Sequence, residues 1–211
     1  MSPAMTRTRT RSSRAAVRRR GRLRLLGLAA LLALAAVAVI VSLGPLNKAF
    51  REITLPLRHE DIIRQQAREK RLDPALIAAV IYQESKFRDR TSHAGARGLM
   101  QITPDTARFI ARRSGGIRFV EDDLATPQIN ISYGSFYLRY LLNRYEQNRT
   151  LAIAAYNAGL TNVDRWVRQA GGPDHFDATR DIPFPETRGY VRSVLKRRDQ
   201  YRHRYAHELG Y

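Results

Sequence analysis

Three prolines, each preceded by a residue that caps helices, divide the chain after residue 58 into helical segments. The pairs are Asp73–Pro74, Thr103–Pro104 and Thr126–Pro127. Aspartate and threonine accept hydrogen bonds from the first free N–H groups of a helix, and proline fits the first helical position because its missing N–H is not needed there. A further helix is predicted to start at Pro185. Since no segment alternates apolar and polar residues as a half-buried strand does, residues 58–211 are predicted to be all-α.

Apolar residues recur at helical spacing between these starts. An amphipathic helix is predicted over residues 59–71, and the segment after Pro127 carries enough apolar side chains for a central buried helix. Residues 151–158 are small and apolar and end at Gly159, a typical residue after a helix C-terminus. Thr161 is predicted to cap the short helix that follows.

Glu84 lies near the end of the helix that starts at Pro74 and continues its apolar stripe. The stripe consists of Leu76, Ile77, Val80 and Ile81. Burial disfavours the charged form of a carboxylate, so a core-facing position raises its pKa and suits it to general-acid chemistry. A lone glutamate in the last exposed turn of an amphipathic helix is the simpler interpretation, and the surrounding motifs decide between the two.

The N-terminus predicts a membrane anchor. The first 24 residues contain nine arginines and no acid, and residues 25–43 form a 19-residue run without a charge. At about 1.5 Å per residue that run spans roughly 28 Å, close to the hydrocarbon thickness of a bilayer. Arginines before the span place residues 1–24 in the cytoplasm and residues 58–211 outside. Residues 44–57 form the linker between the span and the outer domain. A cleaved signal peptide is the alternative, although its apolar core is normally shorter.

The net charge of +18 does not by itself predict nucleic-acid binding. Nine of these charges belong to the arginine-rich leader, which leaves +9 for residues 25–211. A basic domain outside the membrane suits anionic cell-wall polymers or lipid headgroups. The chain has no cysteine, which excludes a disulfide framework and a thiol nucleophile. We expect no nucleic-acid partner and a monomer.

Four short segments contain residue types that are unusual for packing alone. They are Glu84-Ser85, the glycine-rich segment 94–101, Ala155-Tyr156-Asn157-Ala158-Gly159 and the segment 186–191. Glycines let a backbone approach a ligand closely, and glutamine offers both donors and acceptors. Each segment taken alone is compatible with a turn, a core aromatic or a helix-dipole partner.

Together and in this order, these motifs resemble the lytic transglycosylases of the soluble-transglycosylase type, family 1. The resemblance runs over residues 59–199 and includes the segment from Asp123 to Leu138. It implies a goose-type, lysozyme-like helical domain behind the single N-terminal transmembrane helix, acting on peptidoglycan glycan strands at the extracytoplasmic face of the bacterial cytoplasmic membrane. No motif position departs from the family's pattern.

The resemblance implies that Glu84 is the only catalytic residue. It would protonate the oxygen between N-acetylmuramic acid and N-acetylglucosamine and then accept a proton from the muramoyl 6-hydroxyl, leaving a 1,6-anhydro end. Substrate binding is implied for Ser85, Gly98, Met100, Gln101, Tyr156, Asn157, Glu186 and Tyr190. Within this set, Ser85 would polarise the muramoyl N-acetyl group and Tyr190 would close the far wall.

The residues leave two alternatives open. Most glycosidases use two carboxylates, whereas substrate-assisted enzymes dispense with the second. A hydrolytic muramidase would use Asp89 or Glu186 to position water, and a glycan-binding scaffold would bind without turnover. His203 and His207 are four residues apart, but they lack the acidic neighbour of a zinc-protease motif, so we expect neither a metal nor a cofactor.

Overall fold

The computed structural model describes residues 52–114 and 120–211, together with residues 29, 31–35, 37 and 39. The chain divides into two compact units, Met1–Thr54 and Leu55–Tyr211. The described residues of the first unit between 29 and 39 are helical. The predicted leader, and most of the predicted span and linker before residue 52, lie outside the described residues. Within the described part of the chain, no helix is both long and apolar enough to cross a membrane.

Residues 55–211 fold into nine described α-helices and two 3₁₀ turns. The α-helices are α1 (Glu60–Lys70), α2 (Pro74–Ser85), α3 (Pro104–Ser114), α4 (Pro127–Arg144), α5 (Arg149–Ala158), α6 (Leu160–Gln169), α7 (Ala178–Asp181), α8 (Pro185–Arg204) and α9 (Ala206–Leu209). The 3₁₀ turns are Glu121–Ala125 and Pro173–His175. Extended pairing in the described residues is limited to isolated bridges. The all-α prediction is therefore confirmed.

Most predicted helix starts are confirmed, Thr126 among them as the N-cap residue of α4, and the prediction that Thr161 caps a helix is wrong. Asp73 accepts a hydrogen bond from the Ala75 N–H at 3.0 Å, and Thr103 caps α3 through the Thr106 N–H at 3.2 Å. Thr126 precedes α4 but makes no capping bond with its side chain. Thr161 lies inside α6, because Gly159, with φ of 83°, is both the C-cap of α5 and the N-cap of α6.

The most deeply buried helix is α2 rather than α4. All seven residues from Ala75 to Ile81 are buried, so α2 is apolar on every side. In α4 the buried residues follow one face, and Tyr133 and Arg139 remain partly exposed. The apolar stripe read from the sequence thus describes only part of the α2 surface. Helix α8 packs most extensively against α2. A helix from the C-terminal part of the domain thereby contacts the helix that carries Glu84.

Asp73 ties the start of α2 to the end of the chain. Its carboxylate accepts hydrogen bonds from Arg198 Nε at 2.8 Å and from the Tyr211 hydroxyl. Burial would raise the pKa of Asp73, but the hydrogen bonds from Tyr211 and Arg198 outweigh it and hold the pKa below its usual value. The helix that carries Glu84 is therefore anchored at its N-terminus by residues of α8 and of the C-terminus.

Candidate active site

Glu84 is the penultimate residue of α2 and lies at the edge of the core. The helix ends there because Lys86 adopts a left-handed conformation with φ of 53°. Tyr190 of α8 donates a hydrogen bond from its hydroxyl to Glu84 Oε1 at 2.5 Å. Burial raises the pKa of Glu84 to about 7, against smaller lowering effects from the Tyr190 hydrogen bond and the Arg90 charge. The carboxyl group is therefore available in both protonation states near neutral pH.

Tyr190 is a fixed donor to this carboxyl group. Its side chain is 6% exposed. Its pKa lies well above the usual tyrosine value because of burial, followed by the charges of Glu84 and Tyr156. The hydroxyl consequently keeps its proton wherever Glu84 titrates. Tyr190 therefore lies closer to the candidate acid than the far wall of the cleft, where the resemblance implied it would be.

The glycine-rich segment forms a tight turn beside the end of α2. Arg97 and Ile102 exchange two backbone hydrogen bonds of 3.0 Å, which closes a four-residue loop over residues 98–101. Gly98 has φ of +75°, and a methyl group on it would lie 2.2 Å from Asn130 Nδ2. Glycine is therefore required at position 98 by the close approach of Asn130, and the predicted contact of Gly98 with substrate stays a prediction.

Three side chains from different helices hold this turn. The Ser85 hydroxyl of α2 lies 2.7 Å from the Leu99 carbonyl oxygen, and the Tyr156 hydroxyl of α5 donates to the Met100 carbonyl at 3.0 Å. Asn130 of α4 accepts from the Met100 N–H at 2.8 Å. Ser85 is 3% exposed and bonded to the turn, so its predicted contact with an N-acetyl group stays a prediction.

The sequence predicts Asn130 only as part of a helix, yet it is the main support of this turn. Its side-chain amide also donates to the carbonyl oxygens of Arg97 and Leu124, both at 2.9 Å, so one buried side chain bonds three main-chain groups. An asparagine between Ile129 and Ile131 on a predicted buried helix was the available signal, because a buried amide must find partners.

Two residues of the turn have side chains that serve the protein itself. The Met100 side chain is 0% exposed and packs on Gly134. Contrary to the prediction, this side chain does not face the cleft. Gln101 has φ of 48° and donates from Nε2 to the carbonyl oxygens of Arg90 and Gly98, both at 2.9 Å. Its Oε1 accepts no hydrogen bond within the described residues. That oxygen is therefore available to a ligand.

Asn157 of α5 contacts the side of α8 that carries Tyr190. Its Oδ1 accepts a hydrogen bond from the Thr187 hydroxyl at 2.8 Å, and Thr187 precedes Tyr190 by one helical turn. Glu186 and Asp89 are exposed, and neither has an ion pair or a side-chain hydrogen bond among the described residues. Neither one contributes to the pKa of Glu84. The structure therefore brings Tyr190 to Glu84, and among the described residues neither Asp89 nor Glu186 pairs with it.

The two histidines weighed as metal ligands lie in different helices. Helix α8 ends at Arg204, so His203 belongs to α8 and His207 to α9. Both are exposed. In residues 52–114 and 120–211 and the few described residues before them, no cluster of three or more histidine, aspartate or glutamate side chains could hold a metal ion.

This fold and site define a class of protein. The family model described as "Transglycosylase SLT domain" matches residues 61–178, and the chain belongs to this family. It is 37% identical over 161 residues to a soluble lytic murein transglycosylase of Salmonella typhimurium, a match covering 72% of this chain and 24% of the relative. It is 34% identical over 131 residues to the membrane-bound lytic murein transglycosylase F of Cellvibrio japonicus, covering 57% of this chain and 25% of the relative.

Solved structures agree with this assignment. An inactive mutant of the lytic transglycosylase Slt from Pseudomonas aeruginosa superposes with a TM-score of 0.67 at 34% identity, covering 74% of this chain and 26% of that chain. The 70 kDa soluble lytic transglycosylase of Escherichia coli gives the same TM-score and identity over 72% of this chain and 25% of its own. The predicted lysozyme-like helical domain is thereby confirmed. The chain spans about a quarter of the length of these relatives.

Proposed function

We propose that this protein is a peptidoglycan lytic transglycosylase that cleaves the β-1,4 bond between N-acetylmuramic acid and N-acetylglucosamine. The observation that carries the proposal is the environment of Glu84. It is a carboxyl group with a pKa of about 7, hydrogen-bonded to Tyr190 and without a second carboxylate among the groups that set its pKa. The family to which the chain belongs, and the names of its relatives, support the same activity.

A single carboxyl group can carry out both proton transfers. Protonated Glu84 donates its proton to the glycosidic oxygen, and the C1–O bond breaks with development of an oxocarbenium-like centre. The acetamido group of the sugar can stabilise that centre in place of a second enzyme carboxylate. The Glu84 carboxylate then accepts the proton of the 6-hydroxyl as its oxygen bonds to C1. Atoms balance without water, and the product is a 1,6-anhydromuramoyl end.

The surrounding residues place the acid and the sugar. Tyr190 orients Glu84 and stabilises its ionised form between the two transfers. The turn over residues 98–101, with the Gln101 Oε1 as its available acceptor, borders the sugar beside Glu84. Asn157 engages the substrate through its amide N–H groups, since its oxygen is bonded to Thr187. Glu186 contributes at the exposed rim of the cleft.

We also propose that residues 25–43 anchor the protein in the cytoplasmic membrane. The arginine-rich leader would stay in the cytoplasm, and residues 58–211 would face the cell wall as a monomer. The uncharged length of the run and its flanking arginines support this topology. Relatives named as membrane-bound transglycosylases are compatible with it, and other relatives are named as soluble.

Mass spectrometry of the products from purified peptidoglycan tests the reaction. The full chain in detergent is expected to release muropeptides with 1,6-anhydro ends, and Glu84→Gln is expected to release none, because an amide cannot donate the required proton. Asp89→Asn is the matched control and should retain 1,6-anhydro products; Glu186→Gln should retain them too, because Glu84 alone transfers the protons. Reducing ends in place of anhydro ends would identify a hydrolase. Glycan binding without any product from the wild type would identify a scaffold.

A further inference from the structure

A cavity lies on a side of α8 different from the one that carries Tyr190. Its volume is about 390 Å³, and its apolar wall is formed by Ala178, Val191 and Leu195. Arg192 follows Tyr190 by two residues, which places it roughly 200° round the helix. The cavity therefore opens away from the contact between Tyr190 and Glu84, and Glu84 is not among its lining residues.

Two arginines supply the charge of this cavity. Arg188 and Arg192 both line it and are one helical turn apart, an arrangement in which like charges repel. Arg188 donates to the Ile182 carbonyl oxygen at 2.5 Å, which fixes its guanidinium group. Arg192 is exposed and makes no hydrogen bond or ion pair with any residue in the described part of the chain.

Three acids lie within two residues of this cavity's lining; Glu186 is exposed and makes no ion pair among the described residues, and the other two, Asp177 and Asp181, are engaged locally. Asp177 caps α7 by accepting from the N–H groups of Thr179 and Arg180. Asp181 accepts from Arg180 Nε at 2.6 Å. Neither pairs with Arg188 or Arg192. Within the described part of the chain the two guanidinium groups therefore lack a carboxylate partner, and a bound anion would relieve their mutual repulsion.

Hydroxyl groups complete the polar side of the cavity. Thr150, in the first turn of α5, and Thr179 both line it, and the Thr179 hydroxyl, which donates to Asp177 Oδ1 at 2.5 Å, can still accept. A ligand that fits this lining has a carboxylate for the guanidinium groups, further polar groups for the hydroxyls and small apolar side chains for the opposite wall. The volume lies near the lower end of the ~300–1,000 Å³ range of ligand pockets, which suits a short peptide segment.

We infer that this cavity binds the carboxylate-bearing peptide chains attached to the glycan strand, with Arg192 as the principal contact and Arg188 beside it. The inference rests on the proposed function, because it is the peptidoglycan strand that would bring such peptides to the enzyme. The site would hold the strand at a second point away from Glu84. Strands that carry peptides would then be bound in preference to strands without them.

Calorimetry with a synthetic stem tetrapeptide, carrying no sugar, tests the site directly. The full chain in detergent is compared with Arg192→Gln and with Arg68→Gln, an exposed arginine of α1 that does not line the cavity. Wild type and Arg68→Gln are expected to bind the peptide alike. Arg192→Gln is expected to bind about tenfold more weakly, since it loses one charge-assisted hydrogen-bonded contact. Wild type should bind a tetrapeptide with amidated carboxylates more weakly than the unmodified tetrapeptide, by the same factor.

Turnover separates this inference from the proposed function. Arg192→Gln should cleave peptide-bearing strands several-fold more slowly than wild type and should cleave amidase-stripped strands at the wild-type rate. Equal tetrapeptide binding by wild type and Arg192→Gln would overturn the inference. Arg192-dependent binding to anionic vesicles without tetrapeptide binding would also overturn it, in favour of a lipid headgroup. If wild type cleaves neither kind of strand, the proposed function fails, and the tetrapeptide titration alone decides the cavity.

Discussion

Near neutral pH the Glu84 carboxyl group is divided between protonated and ionised forms, because burial raises its pKa to about 7. A group in this state can donate a proton and later accept one without a large free-energy cost in either direction. The same shift has a consequence for folding. An unfolded glutamate has a pKa near 4.5, so folding with Glu84 ionised requires a charge to be buried.

Glu84→Gln should therefore stabilise the protein at alkaline pH. The folded-state pKa is raised, so the native state binds the proton more tightly, and wild-type stability falls as pH rises from about 4.5 to about 7. A pKa shift of this size lowers the free energy of unfolding of the wild type by about 3 kcal/mol above pH 7. The free energy of unfolding, measured by urea titration from pH 4 to 8.5, should be larger for Glu84→Gln above pH 7 and converge with wild type near pH 4. A constant difference across this range would contradict the assigned pKa.

Tyr190→Phe should move the pH dependence of catalysis. The Tyr190 hydrogen bond lowers the pKa of Glu84, so its removal raises that pKa above about 7. The general acid must be protonated, and the alkaline limb of kcat/KM is therefore expected to shift to higher pH. Steady-state rates between pH 5 and 9 measure this shift.

Tyr201→Phe is the matched control for this prediction. Tyr201 belongs to the same helix and donates its hydroxyl to the Pro56 carbonyl oxygen at 2.5 Å, away from Glu84. Its removal should cost stability and leave the alkaline limb in place. A lower rate for Tyr190→Phe with an unmoved limb would reduce Tyr190 to a packing role.

At the scale of secondary structure, the site is a turn held by three helices. Helices α2, α4 and α5 each contribute one side chain to the loop over residues 98–101, through Ser85, Asn130 and Tyr156. The loop has few backbone bonds of its own besides the pair between Arg97 and Ile102. Its shape beside Glu84 is therefore set by the packing of the helices.

Asn130→Ala should destabilise the protein and disorder this turn. It leaves the Met100 N–H and the carbonyl oxygens of Arg97 and Leu124 without their partner. Unpaired buried polar groups cost about 1–3 kcal/mol each, and partial rehydration makes a total of about 3 kcal/mol the expected loss. Chemical denaturation measures it. Asn143→Ala, at an exposed position of the same helix, should cost less than about 1 kcal/mol. Similar losses for the two variants would refute the special role of Asn130.

The helix starts could be predicted from the sequence because caps and prolines act locally, as Asp73 with Pro74 shows. Glu84 could be predicted because helical spacing places it next to buried residues. The orientation of Met100 and the bonding of Ser85 could not be predicted, since both depend on which helix lies behind the turn. The packing reason for glycine at position 98 could not be predicted either, because the atom that excludes a side chain there belongs to Asn130, 32 positions later.

For the whole molecule, the membrane-anchor proposal makes a separate prediction. Replacing both Leu32 and Leu34 by arginine should move the protein from the membrane to the soluble fraction, because each central charge costs about 2.5–3.5 kcal/mol on insertion. Replacing both by isoleucine should leave it with the membrane. Cell fractionation followed by immunoblotting measures the distribution. Wild-type protein in the soluble fraction would contradict the anchor.

The contact between Tyr190 and Glu84 joins residues 106 positions apart, and this separation matters while the chain is being synthesised. A nascent chain that ends before α8 contains Glu84 but neither its hydrogen-bond donor nor the helix that covers it. In such a chain Glu84 remains an ordinary exposed glutamate, ionised at neutral pH. Chemical competence therefore arrives only after α8 has left the ribosome, and translation products truncated before it carry an intact motif but an inert acid.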